Sequence, residues 1–506
     1  MNAVKVHGRR KRTAASAALA LLLASACGGG GAGPTTPVGT PTPVAPAPSP
    51  TPTPTWRPSI VFLLVDDLDV LSLDRMPNLR SMVIDRGLTF TNGFATTPLC
   101  CPSRASIMTG QYAHNHGILI NRNPNAFGSE PNCFEVFRNK GQERQTIATW
   151  MQAAGYRTGF LGKYLNRYPG DMPSADPHYV PPAWDDWFAQ VSDNEYYNYA
   201  ISDNGNVVSY GKRPEDYITD VLRIHSVQFI NRWADPDRPF FLWINPIAPH
   251  VPATPSGQYD GAFADAAVPR TPDFNEEDMS DKPQWFRNIP QFVPSEIEHL
   301  DGLQRQRLRT MGSVDDLIGD VINALQQKGI LDRTYFIFMS DNGVLLGGHR
   351  LFLGKDAVYE NSIRVPLIIR GPGVPAGRRL DQFVLNIDIA PTLVEMSRAQ
   401  APGDFIDGRS LFPLLGSTPT PVSGWRSDFL VEHWTDTPEG LPTWAGVRAS
   451  SSVYVEYEKS GEKEFYDLQR DPNQLQNTAA SVGAATIDPM AARLRALRSC
   501  RAASCR

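Results

Sequence analysis

The run Ser59-Ile-Val-Phe-Leu-Leu-Val65 places apolar side chains on both of its faces, as a strand buried on both sides of a parallel sheet requires. It stops at Asp66-Asp67. Similar runs recur at 156–161, 239–245, 334–339, 365–370 and 383–387, and 88–95 reads as a strand entering a loop. Between them, apolar residues fall at helical spacing over 76–86, 146–154, 216–233 and 303–327. This alternation predicts a large α/β domain with a mainly parallel sheet. The Pro- and aromatic-rich stretch 253–300 predicts long loops over a site. Beyond Gly416 the rhythm changes. Strands are expected at 428–432 and 447–457, the latter entering a hairpin that turns near Ser460-Gly461, then at 465–468, with a helix at 488–497. No internal repeat is evident.

The N-terminus has a different character. Lys5, Arg9, Arg10, Lys11 and Arg12 precede an apolar run, Ala14 to Ala26, too short for a typical membrane span. The run ends Leu23-Ala24-Ser25-Ala26-Cys27, which resembles a bacterial lipoprotein box. Residues 28–57 are rich in Gly, Pro and Thr and predict an extended tether with no core of its own. The chain therefore divides into a signal peptide with a lipobox (1–27), a tether (28–57), a catalytic domain (58–416) and a C-terminal subdomain (417–506). Export to a bacterial envelope, periplasm or outer surface is expected, with either a lipid anchor at Cys27 or ordinary signal cleavage near Ala26 that leaves Cys27 incidental. The formal charge of −5 becomes −10 once the five basic residues of the leader are removed, which gives no reason to expect a nucleic-acid partner.

The candidate chemistry gathers where predicted strands end. Asp66 and Asp67 follow the first strand, and Lys163 follows 156–161. His250 follows 239–245 in a Pro-His-x-Pro turn, and Asp341 and Asn342 follow 334–339, with His349 and Lys355 close behind. Ligands in open α/β sheets sit at the C-terminal ends of strands, so a common position argues for one site. Taken singly, an Asp at such a place caps a turn and a Lys is solvated. Taken together, Asp66, Asp67, Asp341 and Asn342 offer only oxygen donors, which suits Ca²⁺ or Mg²⁺ rather than zinc. His114-x-His116 has no third ligand nearby and reads as structural or supporting.

Pro98-Leu-Cys-Cys-Pro102-Ser-Arg104 reads as a loop entering a helix. Pro102 suits an early helical position, the first N–H groups are free, and Arg104 adds a bidentate partner for an oxyanion. A buried thiol pair and a nucleophile are both compatible with that. The residues Cys100-x-Pro102-Ser103-Arg104, followed by Ala-Ser-Ile-Met-Thr-Gly110, resemble the signature of the type I sulfatases. With His114-Asn-His116 and Gly162-Lys-Tyr-Leu-Asn166, the chain looks most like the N-acetylglucosamine-6-sulfatases and related glycosaminoglycan 6-O-sulfatases, from about Pro58 to Asn477. Leu165 stands where many arylsulfatases carry histidine.

The resemblance implies an alkaline-phosphatase-like fold, a large mainly parallel sheet flanked by helices with a smaller antiparallel C-terminal sheet. It implies formylglycine (3-oxoalanine) made from Cys100 by a separate formylglycine-generating enzyme. It implies Ca²⁺ held by Asp66, Asp67, Asp341, Asn342 and the converted Cys100, with Mg²⁺ as the alternative ion. Arg104 would help ionise the nucleophile, Lys163 and Lys355 would hold sulfate oxygens, and His250 would be the general acid, with Lys355 as the alternative. His349 matches a family motif of less definite role. The substrate class implied is a sulfated sugar. Two competing readings are a phosphodiesterase or phosphonate monoester hydrolase of the same superfamily, and a non-catalytic glycan-binding lipoprotein. Sequence alone does not give disulfide connectivity. Pairing Cys101 with Cys133 and Cys500 with Cys505 is one arrangement that leaves Cys100 free. Trp184, Trp187, Tyr196 and Tyr197 offer themselves either as sugar-stacking faces or as packing.

Overall fold

The computed structural model describes residues 56–121, 132–170, 176–191, 194–235, 237–416, 424–435 and 440–506. The expected leader, its Cys27 and nearly all of the tether lie outside the described residues. From Pro54 to Arg506 the chain forms one compact unit. Among the described residues there are sixteen strands: β1 Ser59–Val65, β2 Leu88–Phe90, β3 Gly93–Phe94, β4 Arg157–Gly162, β5 Asp186–Gln190, β6 Ala200–Asp203, β7 Asn206–Ser209, β8 Phe240–Asn245, β9 Thr334–Ser340, β10 Leu367–Arg370, β11 Arg378–Leu380, β12 Val384–Leu385, β13 Asp428–His433, β14 Trp444–Ala449, β15 Ser452–Tyr457 and β16 Lys463–Asp467.

Ten of these make one sheet, in the order β11-β2-β10-β9-β1-β8-β4-β5-β6-β7. Its centre, β9-β1-β8-β4-β5, is parallel throughout, and antiparallel strands flank it on both sides. The continuous apolar run of β1 explains its place in the middle. Ile60, Phe62 and Leu64 enter one core with the helices Cys100–Thr109, Ile147–Ala153 and Ile389–Ser397, while Val61, Leu63 and Val65 enter another with the helices Ile218–Trp233 and Pro294–Gln327. Alternate residues of a strand point to opposite faces, so only a strand with no polar side can serve both layers. The C-terminal sheet, β13-β14-β15-β16, is antiparallel and packs with the helix Ala484–Arg498 over a third core.

Several expected elements shift. The stretch 88–95 is two short strands, and 383–387 yields only β12 before a 3-10 turn. The expected strand 447–457 is two, because the chain turns at Ser450-Ser451. The helix expected at 303 begins at Pro294. Its first two turns face solvent and carry few apolar residues, so the periodicity sets in only at Leu300. His114 and His116, which share a face if extended, lie instead on a short helical turn.

Candidate active site

Five adjacent parallel strands point one way, so the residues that follow β1, β4, β8 and β9 emerge along one edge of the sheet. There the structure assembles most of the expected set. Carboxylate oxygens of Asp66, Asp67 and Asp341 lie within 4.8 Å of one another, all three side chains buried. Cys100 is the first residue of the helix Cys100–Thr109, and its Sγ lies 3.5 Å from Asp66 Oδ1 and 3.9 Å from Asp67 Oδ1. Lys355 Nζ reaches Cys100 Sγ at 2.9 Å and Asp67 Oδ1 at 3.0 Å. Lys163 Nζ is 2.6 Å from Asp66 Oδ2. Asn342 Nδ2 donates to Asp67 Oδ1 at 2.6 Å, and its Oδ1 has no hydrogen-bond partner among the described residues.

Local chain geometry puts each group there. Gly162 ends β4 at φ +99°, and a Cβ at that position would fall 2.1 Å from the Asn245 carbonyl oxygen. Only glycine tolerates both, and the turn it permits delivers Lys163 to the site. Asp67 holds a left-handed φ of +62°. That conformation is held by its own N–H, donated to Asp341 Oδ1 at 3.1 Å, and by Arg307 Nη2, which donates to the Asp67 carbonyl at 2.6 Å. Arg104 spans the floor. Its Nε donates to Asp341 Oδ2 at 2.8 Å, one Nη to the Lys163 carbonyl at 2.9 Å, and the other lies 3.4 Å from Asp66 Oδ2.

His250 sits at the rim with Nε2 3.6 Å from Asp67 Oδ2. Its Nδ1 is 2.6 Å from the Val251 carbonyl, which can only accept, so Nδ1 carries a proton and Nε2 is the nitrogen turned to the site. Burial and the Asp66 carboxylate push the Cys100 thiol well above its ordinary range. An unmodified thiol is thus a poor nucleophile here. Asp66 is held far below the usual carboxylate range, since Lys163, His250 and Arg104 outweigh the burial that would raise it. Asp341, buried beside Asp66, is pushed up to about 7.

His349 is not brought to this cluster. Its Nδ1 pairs with Glu276 Oε2 at 2.6 Å and its ring stacks on Tyr359, centroids 3.7 Å apart. His114 pairs with Glu432 and His116 with Ser106. Trp187 and Tyr196 are buried and packed among other rings, which removes them as open stacking faces. Cys101 pairs with Cys133 and Cys500 with Cys505, and Cys100 stays free.

Two residues at the site had not been singled out from sequence. Asn245, ending β8, accepts from Arg104 at 3.3 Å. Arg307 ties the Asp67 carbonyl to the Pro249 carbonyl, 3.1 Å from Nη1, and so joins a carboxylate's main chain to the His250 turn. A signal for it exists in the sequence. Arg307 interrupts the buried stripe Leu300, Leu303, Met311, Val314 of its helix.

Residues 58–398 match the family model described as Sulfatase, and residues 347–499 match that of the N-sulphoglucosamine sulphohydrolase C-terminal region. The chain is 34% identical over 486 residues to the N-acetylglucosamine-6-sulfatase of Homo sapiens, covering 89% of this chain and 86% of that one. It is 36% identical to extracellular sulfatase homologues of Caenorhabditis elegans and Drosophila melanogaster over 390 and 383 residues, 74% of this chain in each case. It spans only 52% and 33% of those proteins' lengths. A solved structure of a protein in complex with its substrate D-glucosamine-2-N,6-O-disulfate shares the fold, with a TM-score of 0.72 at 22% identity over 87% of this chain and 97% of that one.

Proposed function

The chain belongs to the sulfatase family, and we propose that it is a sulfuric ester hydrolase that removes sulfate from a sulfated sugar of the N-acetylglucosamine 6-sulfate kind. The observation that carries this reading is the crowding of three buried carboxylates around Cys100 Sγ with Lys355 2.9 Å away. Lys163, Lys355 and Arg104 hold these carboxylates in place, with their oxygens converging on one point as ready-made donors. The donor set and the unpartnered Asn342 Oδ1 fit a hard divalent cation, Ca²⁺ or Mg²⁺, held by Asp66, Asp67, Asp341 and Asn342. Bound there, such an ion supplies Lewis-acid stabilisation of an oxygen nucleophile and of developing negative charge. Conversion of Cys100 to formylglycine by a maturation enzyme supplies the hydrated aldehyde, one hydroxyl for attack and one for release of sulfate.

The chain's own residues do the rest. Lys355 and Lys163 stand on the two sides of Cys100 and Asp66 as cations for the sulfate oxygens. Arg104 fixes Asp66 and Asp341 from beneath. His250 turns Nε2 to the rim. It gives a proton to the departing sugar oxygen only after taking up a second one there, against the burial that lowers its pKa. Lys355, which Asp67 keeps protonated against its burial, is the alternative donor. His349, tied to Glu276 and stacked on Tyr359, takes a structural part. We read 1–27 as an export signal with Cys27 lipidated, 28–57 as a tether, 58–416 as the catalytic domain and 417–506 as the C-terminal subdomain. No helix among the described residues is long and apolar enough to cross a membrane. Release of sulfate from N-acetylglucosamine 6-sulfate, an aryl sulfate and a phosphate monoester should be compared on one preparation. The sugar sulfate is expected to be turned over with the highest kcat/KM, and faster turnover of the phosphate ester would overturn the reading.

A further inference from the structure

A second feature lies on the helix next to the nucleophile's. The helix Cys133–Asn139 and the turn after it carry Arg138, Lys140 and Arg144, all exposed, around an open depression of about 720 Å³. None of the three forms an ion pair among the described residues. Arg138 lies over the Tyr179 ring, 3.8 Å from its centroid, which fixes the guanidinium without neutralising it. Lys140 Nζ is held by the Gly117 carbonyl at 3.2 Å, again without a counter-charge. The depression also holds Glu143, 5% exposed. Its Oε2 accepts from the Tyr179 hydroxyl at 2.5 Å, which ties it to the ring beneath Arg138, and its Oε1 is buried away from solvent. Burial raises the Glu143 pKa.

Three exposed cations without a counter-charge around one open depression match a ligand bearing several sulfates. We propose that Arg138, Lys140 and Arg144 form a second binding site, distinct from the Cys100 cluster, for sulfated sugar units of a glycan chain. The proposal rests on the sulfated-sugar reading of the active site. The two places are mechanically joined. The Cys101–Cys133 disulfide ties this helix to the helix that begins at Cys100, and the Phe134 N–H is held by the Asn166 carbonyl at 3.4 Å. A chain anchored at the depression is thereby kept at a constant place relative to the nucleophile, which raises its effective concentration there.

The test is the triple variant Arg138→Ala/Lys140→Ala/Arg144→Ala, whose side chains are exposed and whose loss should leave the melting temperature unchanged. With a sulfated glucosamine oligosaccharide, its KM should rise about tenfold, with a weaker dependence on salt. With N-acetylglucosamine 6-sulfate, kcat and KM should both stay as in the parent. An oligosaccharide KM within about twofold of the parent, or equal rises for both substrates, would overturn the proposal. So would tighter binding of polyphosphate or of anionic phospholipid vesicles than of the glycan. If the parent turns over neither sugar, the active-site reading is what has failed. Calorimetric titration of the oligosaccharide into parent and triple variant then decides the second site by itself, with weaker binding by the variant expected and equal binding contradicting it.

Discussion

Two buried polar clusters in this molecule are built from the same residue types and are put together differently. One surrounds Cys100. The other lies beneath the C-terminal sheet. There Glu276 pairs with His349 at 2.6 Å and Lys282 at 3.2 Å, and Lys282 also donates to the Leu475 carbonyl at 2.6 Å. Glu464 accepts from Tyr457 at 2.5 Å, from Tyr466, and from Tyr359 at 3.3 Å. In this second cluster the carboxylates are kept apart, each under its own donors. Its members are nearly covered, with the Lys282 side chain at 0% and the His349 side chain at 2% exposure, although His349 and Tyr359 line a cavity of about 300 Å³. Around Cys100 three carboxylates are pressed together, Asn342 Oδ1 is left without a partner, and Asp67 is held left-handed. Lys355 and His250 keep 18% and 12% of their side-chain surface open. The difference lies in charge packing: the second cluster sets each carboxylate against its own cation or hydroxyls, with Glu276 Oε1 facing Lys282, whereas the first presses three carboxylates and an amide oxygen into one place.

Substitutions should separate the two clusters. Cys100→Ala removes the nucleophile and should cost on the order of 10⁴-fold or more in kcat, with an unchanged or higher melting temperature. Sulfate-release assays and thermal melts on one preparation check both halves. Arg307→Met cuts the tie between the Asp67 and Pro249 carbonyls. It should lower kcat about 100-fold through misplacement of Asp67 and His250, and more than it raises KM, which initial-rate kinetics would show. In the second cluster, Glu464→Gln turns one acceptor face into a donor toward tyrosine hydroxyls. It should cost about 2 kcal/mol of stability and lower the melting temperature by a few degrees, with kcat within about twofold of the parent.

The smallest expected effect concerns His116, buried against Ser106 and on neither side of the comparison. Burial, with His114 and Lys140 nearby, lowers its pKa to about 3. The unfolded chain therefore takes up a proton below about 6.5 that the folded chain refuses, so this residue's contribution falls as pH drops from 6.5 toward 3. At pH 5 the loss is about 2 kcal/mol. Melting curves from pH 7 to 5 should fall less steeply for His116→Gln than for the parent. Parallel slopes would remove this account of His116.

The strands and the strand-end carboxylates were legible in the sequence because each rule involved is local. β1 announces itself by having no polar face, and Asp66-Asp67 and Asp341-Asn342 stand where such runs stop. What could not be read depends on contacts between distant segments. Nothing near Arg307 says that its guanidinium will reach two carbonyls about 240 and 58 residues away. His349 follows a glycine pair close to Lys355, and only the packing of Glu276 and Tyr359 takes its ring to the other cluster. The break in 447–457 is hidden because Ser450-Ser451 is too short a polar interruption to mark a turn against strong β-formers on both sides.

We propose that the side chain at position 100 is chemically converted and that only the converted chain hydrolyses sulfate esters. Mass spectrometry of the Cys100-containing peptide, run on preparations of graded specific activity, tests it most directly. The fraction of peptide carrying formylglycine should rise in proportion to sulfate release. A fully active preparation in which that peptide still carries an intact thiol would contradict the account.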